Sequence, residues 1–242
     1  MPHLGESMTH VDIIGSVCSE WDYTKRTCVA QVDVRLVQGS KSPFFVSKLA
    51  IDADGSPTAY HPGDIGSYDY LANVSKNDLH GIQGEDGAVG PAPGFYVSGT
   101  SLSNPAYKPS DTRHWVDAAT VPYFVINRQE FPQFNVPLGC VATVVDLQSR
   151  KRTGAILADT GRAVGEGSIA LAVSLGLSPF SKMHPPKVVG FDESRFVYLL
   201  HPDRTVDAPW PVARIQSEAD EAFRDWGGDA QLEAMFPKEN FT

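Results

Sequence analysis

The chain has 242 residues, 42% of them hydrophobic, which suffices to bury a substantial core as one large domain. Lys and Arg total 20 against 29 Asp and Glu, a formal charge of −9, and the basic residues are scattered without forming a stripe. This argues against a nucleic-acid partner and suits a cationic ligand. Cys18, Cys28 and Cys140 are too few for a disulfide scaffold and match no metal spacing, and no stretch reaches membrane-spanning length, so no zinc and no membrane segment are expected.

The first residues, MPHLGESMTHVDIIG, show neither a charged n-region nor an apolar h-region with a cleavage site. Cys18 and Cys28 flank the turn-like WDYTKRT, which leaves a hairpin disulfide and two free thiols as alternatives. Cys140, inside CVATVV, reads as a core residue. From Ala30 to Leu36 apolar and polar residues alternate, the pattern of a half-buried strand. Further strand-like runs are Phe44 to Ile51, Phe95 to Ser98, Val121 to Ile126, Val141 to Leu147, Gly154 to Ala158 and Phe196 to Leu200. The pair Val141 to Leu147 and Gly154 to Ala158 reads as a hairpin across Gln148 to Thr153. Between Asp52 and Asn104 the chain is rich in Gly, Pro, Asp, Ser and Tyr with little periodicity, which is more often a binding loop than a linker. The C-terminal QSEADEAFRDWGGDAQLEAMF has helical composition broken at Gly227 and Gly228, with its charges on a solvated face.

The expected fold is α+β and mostly β: a single domain with a mixed or antiparallel barrel-like core and a few packed helices. A six-stranded double-psi barrel is one candidate for that core. N-terminal strands over 1–43 join the core, 44–205 carries the chemistry, and 206–242 forms a C-terminal helical extension.

Chemistry concentrates in GAILADTGRAVGEGSIALAVSLGL, Gly154 to Leu177. An apolar run delivers Asp159 to its polar end, and a glycine-bounded loop places Glu166 before an apolar helix. Hydrolysis of a glycosidic bond needs two such carboxyls, one to protonate the leaving oxygen and one to activate water or attack the sugar. Partial burial would raise the pKa of Asp159, and the helix macrodipole would favour ionised Glu166. On that argument Asp159 is the general acid and Glu166 the general base. The plain alternative is that Asp159 ends a strand and Glu166 satisfies a helix end.

Asp52 and Asp54, in KLAIDADGSP, resemble the start of a calcium loop, but the later ligands and closing Glu are absent. An Asp-Gly turn is the simpler reading, although two carboxylates at a loop edge also suit the ammonium groups of an amino sugar. Asp117, in VDAATVPYFVI, is similarly placed before a strand, with Tyr123 in reach of a cleft. The seven histidines, His3, His10, His61, His80, His114, His184 and His201, form no metal-ligand spacing, and Ser168 lacks a nucleophile elbow. GEDGAVGPAPG lacks the residues of a phosphate loop.

In order, KLAIDADG (Lys48 to Gly55), VDAATVPYFVI (Val116 to Ile126) and GAILADTGRAVGEGSIALA (Gly154 to Ala172) resemble the fungal-type chitosanases of glycoside hydrolase family 75, over about Phe44 to Leu200. The resemblance implies an inverting endo-hydrolase of chitosan, with Asp159 and Glu166 as the catalytic pair and no cofactor or metal. It places Lys48, Asp52, Asp54 and Tyr123 near the cleft, and Asp117 and Thr160 complete the expected substrate-binding set. Ala53 stands where the family usually carries a cysteine. A secreted monomer acting on a polysaccharide is the expectation, although the chain shows no signal peptide. Rival readings are a hydrolase of another amino-sugar polymer, such as a cell-wall glycan attacked by a delivered effector, and a non-catalytic carbohydrate-binding protein.

Overall fold

The structure, a computed structural model, describes residues 10–131 and 135–241. His3 and the beginning of the N-terminal reading lie outside them. In chain order the strands are β1 (Val11–Asp22), β2 (Thr27–Val37), β3 (Pro43–Asp52), β4 (Leu79–Ile82), β5 (Tyr96–Ser98), β6 (Tyr123–Val125), β7 (Cys140–Asp146), β8 (Arg152–Asp159) and β9 (Glu166–Ser168). Helix α1 (Ile169–Ser174), strand β10 (Phe191–Thr205) and helices α2 (Val212–Trp226) and α3 (Gly228–Met235) complete the chain.

Six strands close a mixed barrel in the order β3, β10, β7, β8, β6, β9 and back to β3. Two of its pairings, β3 with β9 and β6 with β8, are parallel. The mostly β, barrel-cored α+β fold expected from the sequence is therefore present. The hairpin β1–β2 prolongs the sheet from β3 through Arg35↔Phe44 and Leu36↔Pro43. Cys18 and Cys28 are bonded across it with Cα atoms 5.8 Å apart. Cys140 is free and buried, and burial pushes its thiol up to about 12. Among the described residues no helix is long and apolar enough to cross a membrane.

The central strands read as unbroken apolar runs because both of their faces are covered. Phe45, Val144, Leu157 and Tyr198 fill the barrel, while their neighbours Phe44, Val145 and Val197 pack under Phe223 and Trp226 of α2. Helix α2 is amphipathic, burying Ile215, Ala219, Ala222, Phe223 and Trp226 and leaving its charges to solvent. It crosses β8 at Gly154, where a Cβ would stand 2.8 Å from both Ala219 Cβ and Ile215 O. Gly227, at φ 119°, ends α2 in the left-handed conformation and lets α3 begin.

Three details depart from the sequence reading. Strand β4 emerges inside the irregular excursion and pairs with β5 as a small separate sheet. β10 extends well beyond Phe196 to Leu200 in both directions. Glu166 to Ser168, read as a helix entry, is strand β9, held by β3 on one side and β6 on the other. Three residues carry no periodicity of their own, so only these partners define the strand.

Candidate active site

The barrel positions its acids through register. Val125 on β6 pairs with Asp159 on β8 and, on its other side, with Glu166 on β9. Between Phe124↔Leu157 and Val125↔Asp159 the β8 register slips by one residue, an irregularity that brings Asp159 opposite Val125. Directly opposed residues on neighbouring strands project to the same side of a sheet. Both carboxyls therefore leave the same face, across two inter-strand spacings or roughly 9 to 10 Å of backbone. The parallel pairing Asp52↔Ser168 brings the end of β3 to the same end of the barrel.

Asp159 is held by three donors. The Ser101 amide (2.9 Å), the Ser101 hydroxyl (2.6 Å) and the Thr160 amide (2.8 Å) all donate to its Oδ1. Ser101 is itself fixed by the bond from the Leu102 amide to Ala158 O and by a contact of 2.8 Å between its hydroxyl and that of Thr160. Burial raises the pKa of Asp159, and the Ser101 and Thr160 hydrogen bonds oppose the rise. Glu166 is pushed up to about 7, first by burial and then by the charge of Asp159, with Lys48 pulling the other way. The expected macrodipole effect on Glu166 has no basis in the fold. The helix starts at Ile169, Ser168 is its cap, and Glu166 sits in β9.

Asp52 and Asp54 close the site. The Asp54 amide donates to Asp52 Oδ1 at 2.8 Å, forming a tight turn completed by Gly55 at φ 77°. A Cβ on Gly55 would lie 2.0 Å from Val116 O, so no other residue fits there. Carboxylate oxygens of Asp52, Asp54 and Asp159 all lie within 4.8 Å of one another. Burial comes first in raising both Asp52 and Asp54. Repulsion from Asp54, Glu166 and Asp159 adds to it at Asp52, and repulsion from Asp159, Glu166 and Asp78 adds to it at Asp54, where Tyr60 opposes it. Among the described residues no Lys, Arg or His forms an ion pair with any of the four acids. Three hard oxygen donors without a cation suit an ammonium group, or a hard divalent ion. The two acids of D-A-D-G are thus joined by Asp159 from another strand, not by later residues of the same loop.

The other expected site residues divide. Lys48 is half-buried on β3 with its charge acting on Glu166. Thr160 touches Ser101. Tyr123 is fully buried and spends its hydroxyl on Asp54 O at 3.1 Å, which fixes the turn and keeps the ring from any ligand. Asp117 is not brought to the other acids. Its carboxylate accepts from the Ala119 amide and the Thr120 hydroxyl and lines a separate groove with Trp115 and Trp210. Asp117 begins a turn before Val121, and such a side chain satisfies local backbone first. Ser168, as cap of α1, donates to Val121 O and accepts from the Tyr123 and Leu171 amides, a structural role throughout.

Ser101, Tyr60, Asp69 and Asp78 were not singled out from the sequence. Asp78 raises Asp54 and Asp159, and Asp69 raises Glu166. All four fall in the aperiodic excursion of Asp52 to Asn104, and that composition was the only signal pointing to them. No protein-family model matches this chain, and no curated protein matches it.

Proposed function

We propose that this protein is an endo-acting glycoside hydrolase that cleaves β-1,4 bonds between glucosamine units of chitosan by inversion. The observation that carries the reading is the pair Asp159 and Glu166, placed on either side of Val125, both raised by burial but with the rise opposed by hydrogen-bond donors at Asp159. The roles are the reverse of those argued from the macrodipole. Glu166, raised to about 7 and with no hydrogen-bond donor on its carboxylate among the described residues, is the general acid that protonates the leaving glycosidic oxygen. Asp159, with three donors on one oxygen, is the ionised general base that takes a proton from the attacking water. As the C1–O bond breaks, the new C1–OH bond forms on the opposite face, Glu166 is left as carboxylate and Asp159 as acid.

Asp52 and Asp54 add the substrate class. A protonated amine beside the pair would offset the repulsion that raises Asp52 and Asp54, and a polymer of glucosamine offers one per ring. The order of the three sequence motifs, resembling family 75 chitosanases, supports the same choice. The test is reducing-end release from highly deacetylated chitosan by the wild type, Asp159→Asn and Glu166→Gln, with folding checked by circular dichroism. Turnover by the wild type that disappears in both folded variants is expected; a folded wild type that releases nothing overturns the reading.

A further inference from the structure

A groove of about 650 Å3 lies apart from the four acids of the candidate active site, none of which lines it. Its volume is in the range of small-ligand sites. Tyr107, Trp115 and Trp210 supply three aromatic rings, and Asp117 supplies a carboxylate. Two of the rings are held in fixed orientations from outside the groove's own surface. Trp115 Nε1 donates to Pro109 O at 2.9 Å and its ring stacks on His80 with centroids 4.6 Å apart, while the Arg113 guanidinium lies 4.3 Å from the Tyr107 ring centroid. Trp210 sits at φ 56°, in the left-handed region that a bulky residue rarely adopts.

Two groups of this groove lack a partner. Trp210 is 5% exposed, and its Nε1–H meets no acceptor among the described residues. A buried donor without an acceptor is destabilising, so an acceptor supplied by a ligand in the groove is favourable. Asp117 forms no ion pair among the described residues, whereas Asp111, the other acid of the groove, is bonded to Arg113 at 2.7 Å. Burial raises the Asp117 carboxyl, and the Ala119 amide and Thr120 hydroxyl oppose the rise. An ammonium group satisfies that carboxylate and is drawn to aromatic faces. A hydroxyl accepts from the indole N–H, and the C–H face of a sugar ring lies against an aromatic one. A glucosamine unit carries all three features.

We propose that this groove is a second binding site for a glucosamine polymer, separate from the cleft that cuts it, with the ammonium of one unit on Asp117 and a hydroxyl of that unit accepting from Trp210 Nε1. The inference rests on the proposed substrate class for its link to cleavage, and on the groove alone for its account of binding. A chain long enough to occupy cleft and groove together is held at two linked points, which raises its effective concentration at the acids without any new contact there. Asp117, expected in the cleft from the sequence, thereby recognises the polymer at another place.

Calorimetric titration of the Glu166→Gln protein with a glucosamine trimer counts the sites, and the titration is repeated with Asp117→Asn or Trp210→Phe added. The first substitution removes the charge and the second the indole N–H, each with little change of shape, and circular dichroism verifies the fold. Two trimers bind per chain. Either substitution weakens one of the two affinities roughly three- to tenfold and leaves the other unchanged. In the otherwise unaltered enzyme the same substitutions raise KM for long chitosan by a similar factor and leave kcat as it is, a split that general loss of structure does not produce. A single trimer per chain whose affinity neither substitution alters, or a KM for long chitosan that neither moves, overturns the proposal. Capture of a proline-rich peptide in the groove, with no trimer bound there, overturns it as well. If long chitosan is not cut at all, the hydrolase reading falls and the titration alone decides this one.

Discussion

Asp159 and Glu166 are both register partners of Val125, one from β8 and one from β9. This fixes their separation by sheet geometry and leaves their chemistry to their surroundings. One carboxylate is surrounded by donors and the other is not.

The division of labour is testable by changing the leaving group. With chitosan, Glu166→Gln and Asp159→Asn each lose roughly 10²- to 10⁴-fold in kcat. An aryl glycoside, whose leaving oxygen needs little protonation, recovers most of its turnover in Glu166→Gln and none in Asp159→Asn. Recovery in the Asp159 variant instead would assign the roles the other way.

Ser101 is a positioning residue. Removing its hydroxyl in Ser101→Ala deletes the 2.6 Å bond to Asp159 Oδ1 and one of the influences opposing the rise of its pKa. The acid limb of the pH–kcat profile moves to higher pH, and kcat falls roughly three- to thirtyfold with KM little changed. A shift in KM alone would show that Ser101 contacts substrate instead.

The site costs stability at high pH. Glu166 rises from its ordinary 4.5 to about 7 on folding, so the folded protein retains a proton that the unfolded chain has released. The stability linked to that proton is fully present below about pH 4.5 and is lost as pH climbs through 7. Activity declines over the same upper limb, because an acid must be protonated to act. Glu166→Gln is therefore more stable than wild type by roughly 1 to 3 kcal/mol at pH 8 and gains nothing at pH 4, as thermal denaturation at the two values measures. An equal gain at both would place its origin outside proton linkage.

Asp54→Asn weakens the binding of glucosamine oligomers and flattens its salt dependence, while leaving any binding of uncharged chitin oligomers unchanged. Titrations at about 50 mM and 500 mM salt separate the two. A salt slope identical to that of wild type would remove Asp54 from substrate recognition.

Gly55→Ala destabilises the protein by about 3 kcal/mol or more, since it combines φ 77° with a Cβ 2.0 Å from Val116 O. It also displaces Asp54, so binding of glucosamine oligomers falls in whatever fraction remains folded. A thermal midpoint within one or two degrees of wild type would show that the turn tolerates rearrangement.

The sequence by itself determined the strands whose apolar pattern is local. β2, β3, β7 and β8 were legible because alternation or an unbroken buried run marks them residue by residue. The turn at Asp52 to Gly55, the break at Gly227 and the candidacy of Asp159 and Glu166 were legible in the same way. Only the tertiary structure decided that β9 is a strand, that the barrel closes through two parallel pairs, and that Asp54 joins Asp159 while Asp117 does not. It also decided how each carboxyl is hydrogen-bonded, because Asp159 takes its donors from Ser101, 58 residues away in the chain, as well as from Thr160. Register and desolvation are properties of neighbours brought together from distant parts of the chain, and a linear pattern carries the side chains but not the partners that complete them.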